Sequence, residues 1–333
     1  ISTIAQQNRS YQGTGQMKDT TSISANIGKF DDPFVTAKGE TRASVALKNP
    51  QTLWFNTGTL CNIACVNCYI ESSPSNDALV YLTADEVSTY LDQLDDRKWG
   101  VTEIAFTGGE PFMNPQMVEM MDRCLQRGYE VLVLTNAMQP MMRKSVKGRL
   151  GEVINQYRDK LTFRISLDHW SETQHDAIRG MGGFKRTIEG MLWLKSQDAK
   201  LAVAGRQLWA EDDATARLSF GELFERYGFT IDPNNPAETV LFPEMDESVE
   251  VPEITTACWD ILDVSPSNVM CSSSRMVVKH RGAQKPSVIA CTLLPYEKEF
   301  DLGHSLEEAE KDVQLNHPHC AKFCVLGGAS CSG

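Results

Sequence analysis

Cys61, Cys65 and Cys68 form a Cys-x3-Cys-x2-Cys run just after an apolar, strand-like stretch at residues 52–55. Clustered thiols are metal-site chemistry, but three is the wrong number for a closed site. A structural zinc or an ordinary iron–sulfur cube takes four ligands, so a trio leaves one metal position open. Downstream, a second apolar stretch at 104–106 runs into Gly108-Gly109-Glu110-Pro111. The two glycines lack a Cβ, so backbone there can approach a ligand closely. Glu110 adds a carboxylate suited to a charge-assisted contact with a cationic group. Read alone, the same four residues describe a strand-to-helix turn.

The trio and the Gly-Gly-Glu-Pro motif, in this order and each behind a strand, resemble the radical S-adenosylmethionine (radical SAM) enzymes. The resemblance implies a [4Fe–4S] cube on Cys61, Cys65 and Cys68, with the amino and carboxylate groups of SAM on its open iron. It further implies reductive cleavage of SAM to methionine and a 5′-deoxyadenosyl radical that abstracts a hydrogen atom from substrate. Glu110 would meet the SAM ammonium, with Gly108, Gly109 and Pro111 beside it. In such a division of labour the cofactor carries the hard chemistry, and the protein binds, orients and excludes water.

Later strand ends add candidates. Ser166-Leu167-Asp168 followed by His175-Asp176 and Arg179-Gly180 resembles the SPASM-type members of the family. On that likeness Ser166 contacts SAM and Asp168 sits at the barrel mouth. Plainer readings make Asp168 a cap of the next turn and Arg179 an organiser of its loop. Asn136 either lines the SAM pocket or serves a turn. Arg206 either pairs bidentately with the SAM carboxylate or joins a surface ion pair. The position before the third cysteine, commonly aromatic or His in the family, is Asn67; the aromatic neighbour here is Tyr69, on the other side of Cys68.

Strand–helix alternation from about residue 51 must position these groups, and it is the signature of a parallel sheet with crossover helices. Thr83 and Glu86 form a capping box that opens a helix to about residue 97. Asn114-Pro115 starts another that ends at Gly128. Strands are expected at 130–134, 161–167, 200–204 and 239–242, with helices at 139–157, 184–197 and, capped by Asp213, up to 226. Six units make an α/β fold, a partial (β/α)6 TIM-like barrel, with active groups at the C-terminal strand ends. The methionines between 113 and 142, and Cys124 within a helix, read as core filling.

Six of the ten cysteines, Cys258, Cys271, Cys291, Cys320, Cys324 and Cys331, fall in the last quarter, among Pro, Ser, His and Gly. This is the pattern of a small cysteine-rich metal-binding domain stapled by metal. The segment resembles the SPASM or twitch extension of radical SAM enzymes through Cys271…Gly282…Cys291, the stretch 300–306, and Cys320-x3-Cys324 with Gly327-Gly328 and Cys331. The x3 and x6 spacings depart from the usual x2 and x5, and six cysteines are too few for two clusters. The resemblance therefore implies one auxiliary [4Fe–4S] cluster on Cys271, Cys291, Cys320 and Cys324, with Cys331 and Cys258 as substitutes. A zinc site of Cys320, Cys324, His317 and His319 is the rival. Cys258 can also be read as a buried thiol or a hydrogen-atom donor.

Residues 1–50 read as an irregular N-terminal arm, 51–242 as the barrel, 243–257 as a linker and 258–333 as the auxiliary module. The net charge of −12 disfavours nucleic acid, and the patch at Arg143, Lys144, Lys147 and Arg149 reads as a solvated helix face. No apolar run reaches membrane-spanning length, so no membrane partner is expected. Many cysteines without a signal-peptide pattern point to the cytoplasm. The expected partners are a flavodoxin- or ferredoxin-type electron donor and a small-molecule or peptide substrate. The short arm tilts that choice toward a small molecule, and a peptide maturase of the SPASM type is the alternative. Other classes are a SAM-dependent group transferase without a free radical and a non-catalytic iron–sulfur electron carrier.

Overall fold

The computed structural model describes residues 28–207, 211–243 and 250–327. Its strands are β1 (Ser44–Val45), β2 (Thr52–Asn56), β3 (Glu103–Thr107), β4 (Glu130–Thr135), β5 (Leu161–Ser166), β6 (Lys200–Gln207), β7 (Thr239–Pro243), β8 (Ser274–Val278), β9 (Ser287–Ile289), β10 (Asp301–Gly303) and β11 (Val313–Gln314). The helices are α1 (Ala84–Arg97), α2 (Met117–Gln126), α3 (Gln139–Met142), α4 (Lys144–Tyr157), α5 (Glu172–Arg179), α6 (Gly183–Ser196), α7 (Asp213–Tyr227) and α8 (Cys258–Leu262). Strands β2 to β7 pair in chain order and in parallel. The six-strand α/β partial barrel expected from the sequence is present, with β7 an open edge.

The opposite edge is extended. Strand β8 pairs in parallel with β2, and β9 and β10 follow antiparallel, so the C-terminal region continues the same sheet. Its apolar residues, among them Met270, Leu293, Phe300, Leu306 and Phe323, belong to one core continuous with the barrel. Tyr90 on α1 donates its hydroxyl to the Pro286 and His304 carbonyls (3.2 and 3.0 Å), and Phe55 stacks on Phe106 behind it. Residues 28–45 strap this region from outside. Antiparallel β1 and β11 pair, and the buried Arg42 guanidinium binds Glu253 at 2.6 Å.

Local chemistry shifts several element ends. The α1 capping box is as expected, with reciprocal Thr83–Glu86 bonds. Helix α2 starts at Met117 rather than at Asn114, because Asn114 is spent elsewhere: its Oδ1 accepts from Gln116 N, and its Nδ2 donates to the Thr57 and Leu82 carbonyls. The single helix expected at 139–157 breaks at Arg143, whose extended backbone (ψ 139°) leaves its guanidinium free to bond the Pro140 and Phe112 carbonyls. Asp212, not Asp213, caps α7 by accepting from Thr215 N. Helix α5 stands where the sequence suggests only a loop, since its eight residues carry few apolar side chains. Among the described residues, no helix is long and apolar enough to cross a membrane.

Candidate active site

The cluster-bearing loop leaves β2 in a tightly bonded turn. Asn56 Oδ1 accepts from Gly58 N, and the Thr57 hydroxyl donates to the Thr107 carbonyl of β3. The glycines after β3 then pack onto this turn. A Cβ on Gly109 would lie 2.3 Å from the Leu60 carbonyl oxygen, and one on Gly108 would lie 2.7 Å from that of Gly58. Gly109 N and Glu110 N donate to those same two carbonyls. The glycines thus admit the cluster loop's own backbone, as well as facing the cavity described below.

Cys61, Cys65 and Cys68 line one cavity of about 1160 Å3, counted out to its open mouth, at the C-terminal ends of the strands. Of the expected cofactor contacts, Gly108, Gly109, Asn136, Ser166, Arg206 and Tyr69 share its walls. Asn136 donates from Nδ2 to Asn62 Oδ1 (3.0 Å) and lies 3.9 Å from the Cys61 sulfur. The backbone at Asn67 is left-handed (φ 54°), a conformation that Asn tolerates better than most residues.

Glu110, Pro111 and Asp168 are placed behind the wall instead. Glu110 is 1% exposed; its carboxylate accepts from Thr135 Oγ1 (2.7 Å), Asn136 N (2.8 Å) and Phe112 N (3.2 Å). Burial raises its pKa despite those three donors. It ties the Gly-Gly-Glu-Pro turn to the end of β4 and offers no exposed oxygen to a ligand. Asp168 is 2% exposed and grips two arginines: Arg179 in a fork at 2.5 and 3.2 Å, and Arg206 Nε at 3.2 Å. Burial works against its charge, but the two guanidiniums prevail and hold the carboxyl below its usual range. Arg206 also reaches the Val66 and Asn67 carbonyls of the cluster loop at 3.3 and 3.4 Å.

Arg179, which the sequence suggested only as a loop organiser, lines the cavity. Burial disfavours its charge, but Asp168 and the nearby thiols hold its pKa up. Its partner lies eleven residues away across a helix, a pairing with no sequence signature. Burial pushes the Cys61 thiol up to about 12 and raises Cys65 as well. Such thiols give up their protons when a cation takes their place, so metal loading is linked to proton release.

A second cavity is lined by Cys271, Cys291, Cys320 and Cys324, the four expected auxiliary ligands, together with apolar residues and His319. Cys320 and Cys324 sit four apart in a helical turn (Cys320–Val325), so their x3 spacing sets both thiols on one face. His317 is not in the wall; its Nδ1 accepts from His319 N. Cys258 is also outside that wall, and its sulfur contacts Thr255 N and Oγ1. Cys331 lies outside the described residues. Among the described residues, no three His, Cys, Asp or Glu side chains meet around a single ion. A cube, which spreads its thiolates over its corner irons, does not require that. The donor sets of both cavities suit iron–sulfur cubes: three thiols with an open wall in the first, four in an apolar shell in the second. Leu293 lines both cavities, and Phe323, stacked on Phe242 (5.6 Å), closes the first beside it.

Comparison with known proteins follows this geometry. The Radical SAM superfamily model matches residues 55–203. The antilisterial bacteriocin subtilosin biosynthesis protein AlbA of Bacillus subtilis is 27% identical over 301 residues, 82% of this chain and 63% of that protein. The mycofactocin maturase MftC of Mycobacterium ulcerans is 27% identical over 190 residues, 56% of this chain and 47% of its own. The chain therefore spans less than two thirds of the length of these relatives. Among solved structures, Streptococcus suis SuiB bound to S-adenosylmethionine superposes with a TM-score of 0.54 at 13% identity, over 75% of this chain and 62% of SuiB. Native anSMEcpe with bound AdoMet gives 0.55 at 15%, over 82% and 83%. At these identities the superpositions show a shared fold.

Proposed function

Residues 55–203 are a radical SAM domain, and on that premise we propose that this chain binds a [4Fe–4S] cube through Cys61, Cys65 and Cys68 and cleaves SAM reductively. When bound, the cube and SAM would supply a 5′-deoxyadenosyl radical able to take a hydrogen atom from an unactivated C–H bond. The chain's own residues hold and shield that chemistry. Arg206 and Arg179, locked by Asp168, brace the cluster loop and place positive charge at the cavity. Asn136, Ser166 and the glycines present polar and backbone groups to SAM, and Tyr69 offers an aromatic face. The single observation that carries this reading is the convergence of the three cysteines, Gly108-Gly109 and Asn136 on one cavity.

We assign residues 51–242 to SAM cleavage and 258–333 to an auxiliary [4Fe–4S] cluster on Cys271, Cys291, Cys320 and Cys324, joined through 243–257. The four thiols that line the second cavity would together hold a fully ligated cube, which favours the electron-acceptor role over substrate anchoring. A group held there would supply an electron acceptor, and Leu293 lines both its cavity and the one that would take the substrate. For the substrate we take the peptide alternative over the small molecule toward which the sequence tilts. Its support is that AlbA serves bacteriocin biosynthesis and that SuiB has been solved bound to its precursor peptide SuiA. A flavodoxin- or ferredoxin-type donor would reach the first cluster over Val66, which stands 56% exposed between Cys65 and Cys68. The cytoplasm is the proposed compartment, in keeping with a set of nine described cysteines that forms no disulfide.

Iron and sulfide analysis after anaerobic reconstitution tests the two-cluster reading. A Cys61, Cys65 and Cys68→Ala triple variant should retain about four irons per chain, as one cube requires. Iron falling to nearly none would remove the auxiliary cluster.

A further inference from the structure

Arg275, on β8, is 1% exposed, among the largest fully buried side chains of the protein. Its guanidinium donates only to backbone carbonyls: Cys271 at 2.5 Å, Ser274 at 2.9 Å, Ala309 at 3.0 Å and Lys311 at 3.2 Å. Among the described residues, no carboxylate forms an ion pair with it; the acidic group that it feels is Asp312, which is exposed. A buried charge without a counter-charge is costly. The other groups acting on Arg275 are the Cys271 and Cys291 thiols, both in the wall of the second cavity. Neutral thiols offer no compensation for a buried guanidinium. A cube wrapped by four thiolates is anionic and would supply the missing charge.

We propose that Arg275 is the buried counter-charge of an anionic iron–sulfur group held by Cys271, Cys291, Cys320 and Cys324, and that it raises the reduction potential of that group. This rests on the auxiliary-cluster reading above. The electrostatic logic fixes the direction: one added electron increases the negative charge, and a nearby cation in a low-dielectric setting favours that state. The four carbonyl bonds hold the cation in place and also fix the peptide that carries Cys271. Arg275 is a positioning residue, acting on the group through charge.

The test uses the full chain with Cys61, Cys65 and Cys68 replaced by Ala, so that only the second site is read. Iron content and the midpoint potential, by EPR-monitored redox titration, are compared for Arg275, Arg275→Lys and Arg275→Gln. The expected result is that Arg275→Gln keeps its iron but shifts the one-electron equilibrium at least tenfold toward the oxidised state, which is 59 mV more negative. Arg275→Lys should stay within tenfold of its parent. If Arg275→Gln alone fails to retain iron while Arg275→Lys retains it, charge is again the operative property. Equal potentials in all three, equal shifts in both variants, or iron lost from both would overturn the inference while leaving the cluster in place in the parent. A parent without iron would overturn the cluster reading and the inference together.

Discussion

At the scale of single residues, the charges behind the cavity decide more than those in its wall. Asp168 is the anchor of Arg179 and Arg206, and its neutral isostere would leave two guanidiniums short of a counter-charge in a buried setting. Breaking such a pair from one side costs about 3–5 kcal/mol. Asp168→Asn should therefore lower the urea midpoint strongly and reduce iron retention, while a change at the exposed Asp85–Arg123 pair should move it little. His175 gives a pH signature. It is fully buried, and neither ring nitrogen has a hydrogen-bond partner among the described residues. Burial, with Arg179 adding to it, lowers its pKa from 6.5 to about 4. Between those values the unfolded chain binds a proton that the folded chain refuses, so stability rises with pH across that window. The contribution, up to about 3 kcal/mol, is present above pH 6.5 and lost as pH falls toward 4. Urea unfolding across that range should show the slope, and His175→Leu should flatten it; an unchanged slope would mean that another group is responsible.

At the scale of elements, the turn at the end of β2 and the turn after β3 are built against each other. Gly109→Ala places a methyl group within 2.3 Å of the Leu60 carbonyl, a clash with backbone that no side-chain rotation relieves. The variant should fold, since the sheet beneath is untouched, but should lose iron from the first site, measurable against the parent after reconstitution. Full iron retention would show that the loop tolerates the displacement. These turns also show what was legible beforehand. Cysteine spacing, glycine pairs, the Thr83–Glu86 box and strand periodicity are local features, and each led to its element. What stayed hidden depends on partners distant in sequence. The carboxylate of Glu110, suited by type to a cation, is taken up by Thr135 and Asn136 at the end of β4 and by Phe112 N in its own turn. Asp168 looked like a mouth residue until α5 and β6 each turned an arginine onto it. Leu293 and Phe323 carry no pattern at all, and only folding brings them to the barrel mouth.

At the scale of the whole molecule, Cys271, Cys291, Cys320 and Cys324 lie in a cavity whose apolar walls are part of the barrel's own core. Strands β8 to β10 extend that sheet past β2, and residues 28–45 clasp β11 from the other side. That continuity puts two thiol-lined cavities on either side of one leucine. On the function proposed above, that spacing would let a substrate radical formed in the first cavity hand its electron to a group in the second. The most direct test of the central claim is product analysis of the reconstituted chain with SAM and a one-electron reductant under anaerobic conditions. The account predicts 5′-deoxyadenosine and methionine in equal amounts, with both abolished when Cys61, Cys65 and Cys68 are changed to Ala. SAM left intact, or consumed without 5′-deoxyadenosine as in a group transfer, would contradict it.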